Sequence, residues 1–494
     1  MKLNYSLPVI SFLGDLRLDR RFIKLIDGLS HNIGKSIAHN LVKWSQIKAA
    51  YRFISNKKVT HHHIMAIEET RLIRDLIQKD IPLLNGSRRV VLHLQDTTTF
   101  NLSGQKSARQ LPCLSGLNQR GYFGHTSLLS DDEGCIEGVL SQQIWGRDEA
   151  ELGTNKHFKT LQTSIPIECK ESGRWVSEFE NFQSLMSGLH HTHGISISDR
   201  ESDIYELFIA KRSDNVDLIV RSQYDRDILM PNGTTQKLNA YLTTLPVQGY
   251  AFINVLKADK HTYRLAKLAI HFGEVTLQLP TNLKWSSVIP RAARRLNQKM
   301  ANKNGLKLRV VEVIEVDTEP DATPIHWTIL TTLPVNDYWE ALQVTQYYAL
   351  RWRIEIFHLV LKEGCAIEDI QLEKPQRIQN AIALYSLIAA KVTNLRYLAQ
   401  YQAQKPMTVT GFTHKQYNCL NQYLKTRYNL SVSTGQHPTE VPTVAQFVHL
   451  IVCLAGGHRG NKNKKIGIRL LWQGLEIAQT VLQAFEAAWD LPPT

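Results

Sequence analysis

A stripe of polar side chains on one predicted helix is the feature of this sequence best suited to chemistry. Apolar residues recur at helical spacing between Tyr338 and Gly364, which predicts one long helix over that range. Four polar residues share one face of it, within a sector of roughly 60° at about 100° per residue: Tyr348, Arg351, Glu355 and Lys362. The opposite face is apolar, with Leu350, Ile354, Phe357 and Leu361. A helix of this kind packs its apolar face on the core and presents, on its polar face, a carboxylate between two cations. The alternative interpretation is a surface ladder of ion pairs.

Two other carboxylates stand where a sheet would present them. Asp96 follows the apolar run VVLHLQ, and Asp199 closes GISIS directly before a predicted helix. The alternatives are a turn capped by Asp96 and a helix capped by Asp199. Together with Glu355, however, the two acids would form the oxygen cage that Mg²⁺ prefers. Two such ions about 4 Å apart would activate a water or a 3′-hydroxyl for an in-line phosphodiester displacement.

The elements that must position these acids follow from hydrophobic spacing. Residues 89–100 read as a strand ending near Asp96, residues 121–129 as a second strand, and residues 194–199 as a third. An amphipathic helix is predicted directly after Asp199. From about 216 to 333, many short strand-like runs separated by turn residues predict an antiparallel block.

Both ends of the chain read as helical. From Arg17 to about Gln78, apolar residues recur at three and four, with breaks at Gly34 and at residues 55–57. After Lys374 the chain is predicted to be mostly helical to its end. The sequence therefore predicts a mixed α/β protein with helical flanks.

Composition narrows the class of protein. The 494 residues carry 58 Lys and Arg against 45 Asp and Glu, a formal charge of +13, and 43% of them are hydrophobic. That balance excludes a disordered or acidic-tail protein and predicts two to four globular units. The six cysteines include no CxxC pair, so neither a disulfide framework nor a zinc knuckle is indicated. We find no signal peptide and no run of about 18 apolar residues, and expect a chain that is neither exported nor membrane-spanning.

The basic charge is unevenly distributed. Residues 1–60 hold eleven Lys or Arg and three acids, a net charge of +8, and the tract from Arg291 to Arg309 holds seven basic residues and no acid. Clusters of this kind indicate a polyanionic partner, most commonly nucleic acid. A solvated face and a flexible loop are the alternatives. His61, His62 and His63 are read as a polar loop or helix start, and the acids 131–133 before Gly134 as a hairpin turn.

The spacing of the polar stripe resembles a known signature. The segment YYALRWRIEIFHLVLKEG matches the Y-(2)-R-(3)-E-(6)-K pattern of the insertion-sequence-four family of DDE transposases, in Tyr348, Arg351, Glu355 and Lys362. The segments QDTTTF at Asp96 and DRESD at Asp199 resemble the two aspartate motifs of that family. The similarity extends to LGDLRLDRR, GKSI and AAYRFISN near the N-terminus, LIVRS at Arg221, and AGGHRGNKNKKIGIRLLWQGLE near the C-terminus.

The resemblance implies a ribonuclease-H-like catalytic core with a β-rich insertion, and cut-and-paste DNA transposition. Asp96, Asp199 and Glu355 are the implied catalytic and metal-binding residues, with Mg²⁺ or Mn²⁺ as cofactor. The implied DNA contacts, at the transposon end, are Tyr348, Arg351, Lys362, Trp327 and Arg221. Trp327 would stack on a base flipped out of a hairpin end, and Arg221 would clamp the hairpin. From the residues alone, a buried strand tryptophan is the favoured interpretation of Trp327.

The resemblance also implies a division of labour and partners. Residues 1–72 would recognise terminal inverted repeats, residues 73–373 would form the catalytic domain with an insertion at about 214–335, and residues 374–494 would support dimerisation. The implied partners are double-stranded DNA, as transposon ends and target, and a second copy of the chain in a synaptic complex. The expected location is the bacterial cytoplasm, at the nucleoid when bound to DNA. Two rivals remain: a catalytically silent DNA-binding inhibitor of the same fold, and a metal-dependent nuclease without strand transfer.

Overall fold

The computed structural model describes residues 13–31, 37, 41, 44–116, 118–149, 167–256, 263–278, 305–318, 322–432, 441–457 and 468–489. The strands within these ranges are β1 (Arg89–Asn101), β2 (Gly121–Asp131), β3 (Ile136–Trp145), β4 (Thr192–Ser198), β5 (Val216–Arg221), β6 (Asp227–Leu229), β7 (Thr235–Lys237), β8 (Gly249–Leu256), β9 (Tyr263–Leu277), β10 (Leu306–Val316) and β11 (His326–Thr331). The helices are α1 (Leu16–His31), α2 (Trp44–Ile54), α3 (His61–Lys79), α4 (Gly173–Met186), α5 (Tyr205–Phe208), α6 (Leu238–Leu242), α7 (Tyr338–Leu350), α8 (Trp352–Leu359), α9 (Pro375–Tyr401), α10 (His414–Tyr428), α11 (Val444–Leu454) and α12 (Ile468–Trp489).

One sheet joins the strands in the order β3-β2-β1-β4-β5-β11-β10-β9-β6-β7, with β8 paired to β9. Strands β3, β2 and β1 are antiparallel neighbours, and β4 and β5 then run parallel to β1. That mixed five-stranded order is the ribonuclease-H-like arrangement. The predicted fold class is therefore confirmed.

The β-rich insertion continues the same sheet. Strand β11 pairs antiparallel with β5, and β10 and β9 follow antiparallel. Within the run predicted as an antiparallel block, β5 is the exception, because it pairs parallel with β4. The inserted strands thus return directly to the edge of the catalytic sheet.

Two predicted boundaries near the acids differ from the structure. Strand β1 does not end near Asp96 but runs on to Asn101, because the β-branched Thr97, Thr98 and Thr99 pair with β2. The helix predicted after Asp199 is a short 3₁₀ turn, Arg200–Ser202, followed by the four-residue α5. Asp96 therefore projects from inside a strand, and Asp199 from the junction after one.

The predicted N-terminal helices are confirmed as α1, α2 and α3, with the α2–α3 break at residues 55–60. Helix α3 begins at His61, where the Thr60 hydroxyl accepts the backbone N–H of His63. The three histidines therefore form a helix start, as predicted. Gly34 lies outside the described residues.

The helical C-terminal region is also confirmed, as α9 to α12. The 27-residue α9 is its centre and is buried along most of its length. None of the described helices is long and apolar enough to cross a membrane.

The N-terminal helices, the catalytic sheet and α9 share one hydrophobic core, to which Phe22, Ile54, Leu94 and Ile382 all belong. Side-chain amides of α9 secure the α2–α3 connection. Asn380 donates to the carbonyls of Ile54 and Val59, and Gln376 donates to those of Asn56 and Val59. Since buried carbonyls need donors, α9 fixes the position of the N-terminal helices.

Candidate active site

Three elements bring the predicted acids together. Asp96 projects from β1, Asp199 follows β4, and Glu355 lies on α8, which packs on β1. The charges of Asp199 and Glu355 both act on Asp96. The side chains remain 22%, 32% and 32% exposed for Asp96, Asp199 and Glu355. A ligand approaching from solvent can therefore reach all three.

The predicted single helix is interrupted at the stripe. Helix α7 ends at Leu350, Arg351 connects it to α8, and residues 360–364 close the run as a π-helical turn. The apolar face is as predicted, since Ile354, Phe357 and Leu361 are fully buried. Irregular turns of this kind recur at functional sites. Here they redirect the polar side chains without exposing the apolar ones.

Tyr348 and Arg351 lie against the carboxylates. The Tyr348 hydroxyl is 3.5 Å from Asp199 Oδ1, and Arg351 Nη2 donates to Glu355 Oε1 at 2.6 Å. The Arg351 guanidinium also lies 5.7 Å from the centre of the Tyr348 ring. Arg221 reaches the same place from the end of β5, with Nη1 4.0 Å from Asp199 Oδ1. Three of the predicted contacts thus converge with the acids.

Burial and repulsion disfavour the ionised acids. Burial, together with the charges of Glu355 and Asp199, raises the pKa of Asp96 to about 7, against the opposing effects of Arg351 and the Thr97 N–H. Burial likewise raises the pKa of Glu355. Carboxylates in this condition gain from a nearby cation, because it offsets both desolvation and mutual repulsion.

Arg351 and Arg221 each have N–H groups that donate no hydrogen bond to another described residue. Arg351 is 5% exposed; burial alone would lower its pKa, but the charges of Tyr348, Asp199 and Glu355 raise it. Its Nε and Nη1 atoms and the Nε of Arg221 are buried without a hydrogen-bond partner among the described residues. Unpaired guanidinium donors beside carboxylates suit the oxygens of a phosphate.

The donor set fits a divalent cation. Carboxylate oxygens are what Mg²⁺ and Mn²⁺ prefer, and here they come from three elements that face one solvent-reachable space. In the described part of the chain, no three Asp, Glu, His or Cys side chains are already arranged closely enough to hold one ion. The acids therefore surround a space rather than form a closed cage.

Lys362 is the member of the stripe that the structure does not bring to the acids. It lies in the π-helical turn, makes no hydrogen bond or ion pair with another described residue, and feels the charge of Glu368. Burial lowers its pKa. The extra residue in a π-helical turn rotates Lys362 relative to the α-helical wheel on which it was placed.

Trp327 stands beside the site as a half-buried side chain on β11. Its ring contacts that of Tyr348 edge-to-face, with centres 5.0 Å apart. It is therefore neither a fully buried strand tryptophan nor an isolated surface one. Through this contact, Trp327 on β11 links the β-rich insertion to Tyr348 of the polar stripe.

Two polar features were missed from the sequence. His358, one turn after Glu355, has Nδ1 3.7 Å from Asp96 Oδ2, and burial lowers its pKa to about 3. On β2, His125 Nε2 donates to Gln95 Oε1 (3.2 Å), and its Nδ1 lies 2.9 Å from Thr97 Oγ1. The alternation of His93, Gln95 and Thr97 within an otherwise apolar strand was the available signal for a buried polar network.

The remaining predicted features are away from the acids or undescribed. Most of the tract from Arg291 to Arg309 lies outside the described residues. The acids 131–133 form the β2–β3 turn, as predicted, where Asp131 Oδ1 accepts the N–H groups of Glu133 and Cys135. Gly134 adopts the positive φ of 88° that this turn requires.

A ribonuclease-H-like sheet with three acids on two strands and a helix defines a class of enzymes that act on phosphodiesters. Within that class, a family model described as the transposase DDE domain matches residues 137–390, slightly more than half of the chain, and one described as transposase DNA-binding matches residues 11–59. The chain belongs to the family of transposases with this DDE domain.

A solved structure of a piggyBac transposase synaptic complex with hairpin DNA, from cryo-electron microscopy, also aligns with the chain. The sequences are 8% identical, the TM-score is 0.30, and the alignment covers 74% of this chain and 57% of that one. The chain thus spans little more than half the length of that protein. The family assignment rests on the two domain matches.

Proposed function

We propose that this chain is a cut-and-paste transposase of the insertion-sequence-four family, which excises an insertion sequence through a DNA hairpin. The observation that carries the proposal is the juxtaposition of three carboxylates, those of Asp96 and Glu355 desolvated, with arginine donors that lack partners among the described residues. Acids suited to a divalent cation and guanidinium groups suited to phosphate meet in one place. A DNA end that carries its phosphate between them satisfies both.

In this proposal Asp96, Asp199 and Glu355 hold the metal. When bound, Mg²⁺ or Mn²⁺ supplies charge stabilisation and activates the attacking oxygen in each phosphodiester step. Arg351 and Arg221 hold the phosphate through their free N–H groups, and the Tyr348 hydroxyl donates beside Asp199. The proposed order of steps is a nick at the transposon end, hairpin formation by the freed 3′-hydroxyl, hairpin opening and strand transfer.

Trp327 is proposed as the surface for the flipped base of the hairpin. Its half-buried ring is braced by Tyr348, so stacking a base on it requires no rearrangement of the protein. Lys362 is proposed as a phosphate contact more distant than Arg351, because it is displaced from the acids. Its partly buried ammonium group still lies on the same helical run.

The wider organisation is proposed from the resemblance. Residues 1–72 read terminal inverted repeats, consistent with their basic charge; residues 73–373 cut and join; and residues 374–494 support a homodimer that holds two ends. The proposed location is the bacterial cytoplasm, at the nucleoid when bound to DNA. Of the rivals, a silent inhibitor is disfavoured by three intact acids, and a plain nuclease by the Trp327–Tyr348 pair, which hydrolysis does not require.

The test uses purified protein, Mg²⁺ and a duplex from the inverted repeats that flank the coding sequence. We expect a nick followed by a hairpin product on a denaturing gel. Glu355→Ala should bind the duplex as the unchanged protein does but yield neither product, because one metal-holding carboxylate is lost. Glu363→Ala, eight residues along the same helical run, is the matched control and should cut normally.

Undiminished hairpins from Glu355→Ala would overturn the assignment of the acids. Nicks without hairpins from the unchanged protein would support the nuclease, and end binding without cutting would support the inhibitor.

A further inference from the structure

An anchored turn that follows β5 carries an exposed aromatic ring three residues after Arg221. Residues 222–226 connect Arg221, which contacts Asp199, to β6. Within this turn Tyr224 is 60% exposed. The proposed function gives this ring no role. An exposed aromatic side chain on a rigid support can stack on a flat ligand without the cost of first ordering a loop.

The support of Tyr224 is a buried ion pair. Asp203 is 1% exposed, and its Oδ2 accepts the backbone N–H groups of Gln223 (2.7 Å) and Tyr224 (3.2 Å). Its Oδ1 accepts both Nε and Nη2 of Arg226, at 3.0 and 2.6 Å. The Ser222 hydroxyl closes the turn onto the carbonyl of Tyr224 at 3.1 Å. The backbone on both sides of Tyr224 is therefore fixed.

The Asp203–Arg226 pair also places a cation beside the Tyr224 ring. The Arg226 guanidinium lies between two tyrosine rings, 4.0 Å from the centre of Tyr205 and 5.6 Å from that of Tyr224. A cation close to an aromatic ring is attracted to it and helps to hold it in place. The exposed part of the ring can stack on another flat aromatic system.

The turn is tied closely to the catalytic acids. Asp199 and Asp203 stand at the two ends of the 3₁₀ turn 200–202, about 8 Å apart at about 2 Å per residue. Strand phosphates are spaced about 3.4 Å along a duplex. The backbone of Tyr224, whose N–H binds Asp203 Oδ2, therefore lies within a few nucleotides of a phosphate held at Asp199.

We propose that Tyr224 is a stacking surface for a nucleobase close to the cleaved phosphate, held in place by the Asp203–Arg226 pair. This inference rests on the proposed function, since it requires DNA at Asp199. The partner it commits to is an unpaired base of the bound DNA end, at a position separate from the base assigned to Trp327. Aromatic stacking of this kind is tolerant of base identity.

The test uses the Glu355→Ala protein, which leaves DNA uncut, and an inverted-repeat duplex carrying 2-aminopurine at each position near the cut in turn. Stacking on a ring quenches this fluorophore. We expect one quenched position that becomes bright in Tyr224→Ala, together with about tenfold weaker binding, the loss of one stacking contact. Tyr224→Phe should keep both, because it keeps the ring.

Tyr428→Ala removes a tyrosine of similar exposure, 45%, from the C-terminal helices and is the matched control. Because Tyr224 is exposed, its replacement does not threaten folding. Equal fluorescence and affinity in Tyr224→Ala and in the control would overturn the inference, as would loss of dimers without loss of quenching. Failure of the proposed function looks different, because the protein with Glu355 intact would then cut no end.

Discussion

The Asp203–Arg226 pair offers a test of how the site is built. Replacing Asp203 by Asn keeps the size of the side chain but removes the charge opposite Arg226. The two side chains are 0% and 4% exposed, so the guanidinium is left buried without its counterion. Breaking a buried pair in this way costs about 3 to 5 kcal/mol, a large part of the roughly 5 to 15 kcal/mol that stabilises a folded protein.

Urea unfolding followed by tryptophan fluorescence measures the loss. Asp227→Asn is the matched control, because its ion pair with Lys237, at 2.8 Å, is about half exposed on both sides. Such a surface pair contributes at most about 1 kcal/mol. Adding Arg226→Leu to Asp203→Asn should restore part of the lost stability, since the orphaned charge is then gone.

A loss in Asp203→Asn no larger than that of the control would refute the reasoning. So would a double variant whose loss equals the sum of the two single losses, because the pair would then carry no coupling.

Two further predictions concern buried titratable side chains. Burial lowers the pKa of His61 to about 4 from the usual 6.5, so its contribution is present above pH 6.5 and is lost as pH falls toward 4. Between pH 7 and pH 4, the unfolding free energy of the unchanged protein should fall by about 3 kcal/mol more than that of His61→Gln. Urea titrations at each pH measure both free energies. An equal fall in the two proteins would contradict the prediction. Asp96→Asn should raise the thermal midpoint in chelator at pH 8, because it removes a buried charge from the repelling cluster, and should abolish cutting when Mg²⁺ is present. A midpoint that falls in scanning calorimetry would count against that electrostatic account.

The sequence predicted the fold class because its strongest patterns are local. A run of β-branched and aliphatic residues located β1, period-two alternation located β4, and helical spacing located the N-terminal helices. The ends of the elements near Asp96 and Asp199 were harder to predict from the sequence. The end of β1 depends on pairing between its threonines and β2, a long-range contact that composition does not reveal.

The stripe shows the limit of a helical wheel. Tyr348, Arg351 and Glu355 were placed together correctly with respect to one another, because fewer than three turns separate them. Lys362 lies inside the π-helical turn at residues 360–364, where the α-helical spacing of the wheel no longer holds. The turn contacts α9 and α12, and such contacts cannot be read from the residue types of the run.

The contact between His358 and Asp96 was not predicted, for a different reason. On the sequence it is one histidine among 19, and its proximity to Asp96 appears only when α8 packs on β1. The roles of the acids, the arginines and Trp327 stay predictions that the experiments above will decide.

The amides of Gln376 and Asn380 have a consequence for how such proteins diversify. They bind carbonyls of the α2–α3 connection from the first two turns of α9, the longest of the described helices. A relative's N-terminal region grafted onto this chain would have to supply the same three carbonyls at the same places, or leave the buried amide of Asn380 without its acceptors. If the N-terminal helices read DNA ends as proposed, recognition of new ends would change more readily by single substitutions on the exposed surface of α2 than by exchange of the whole region through recombination.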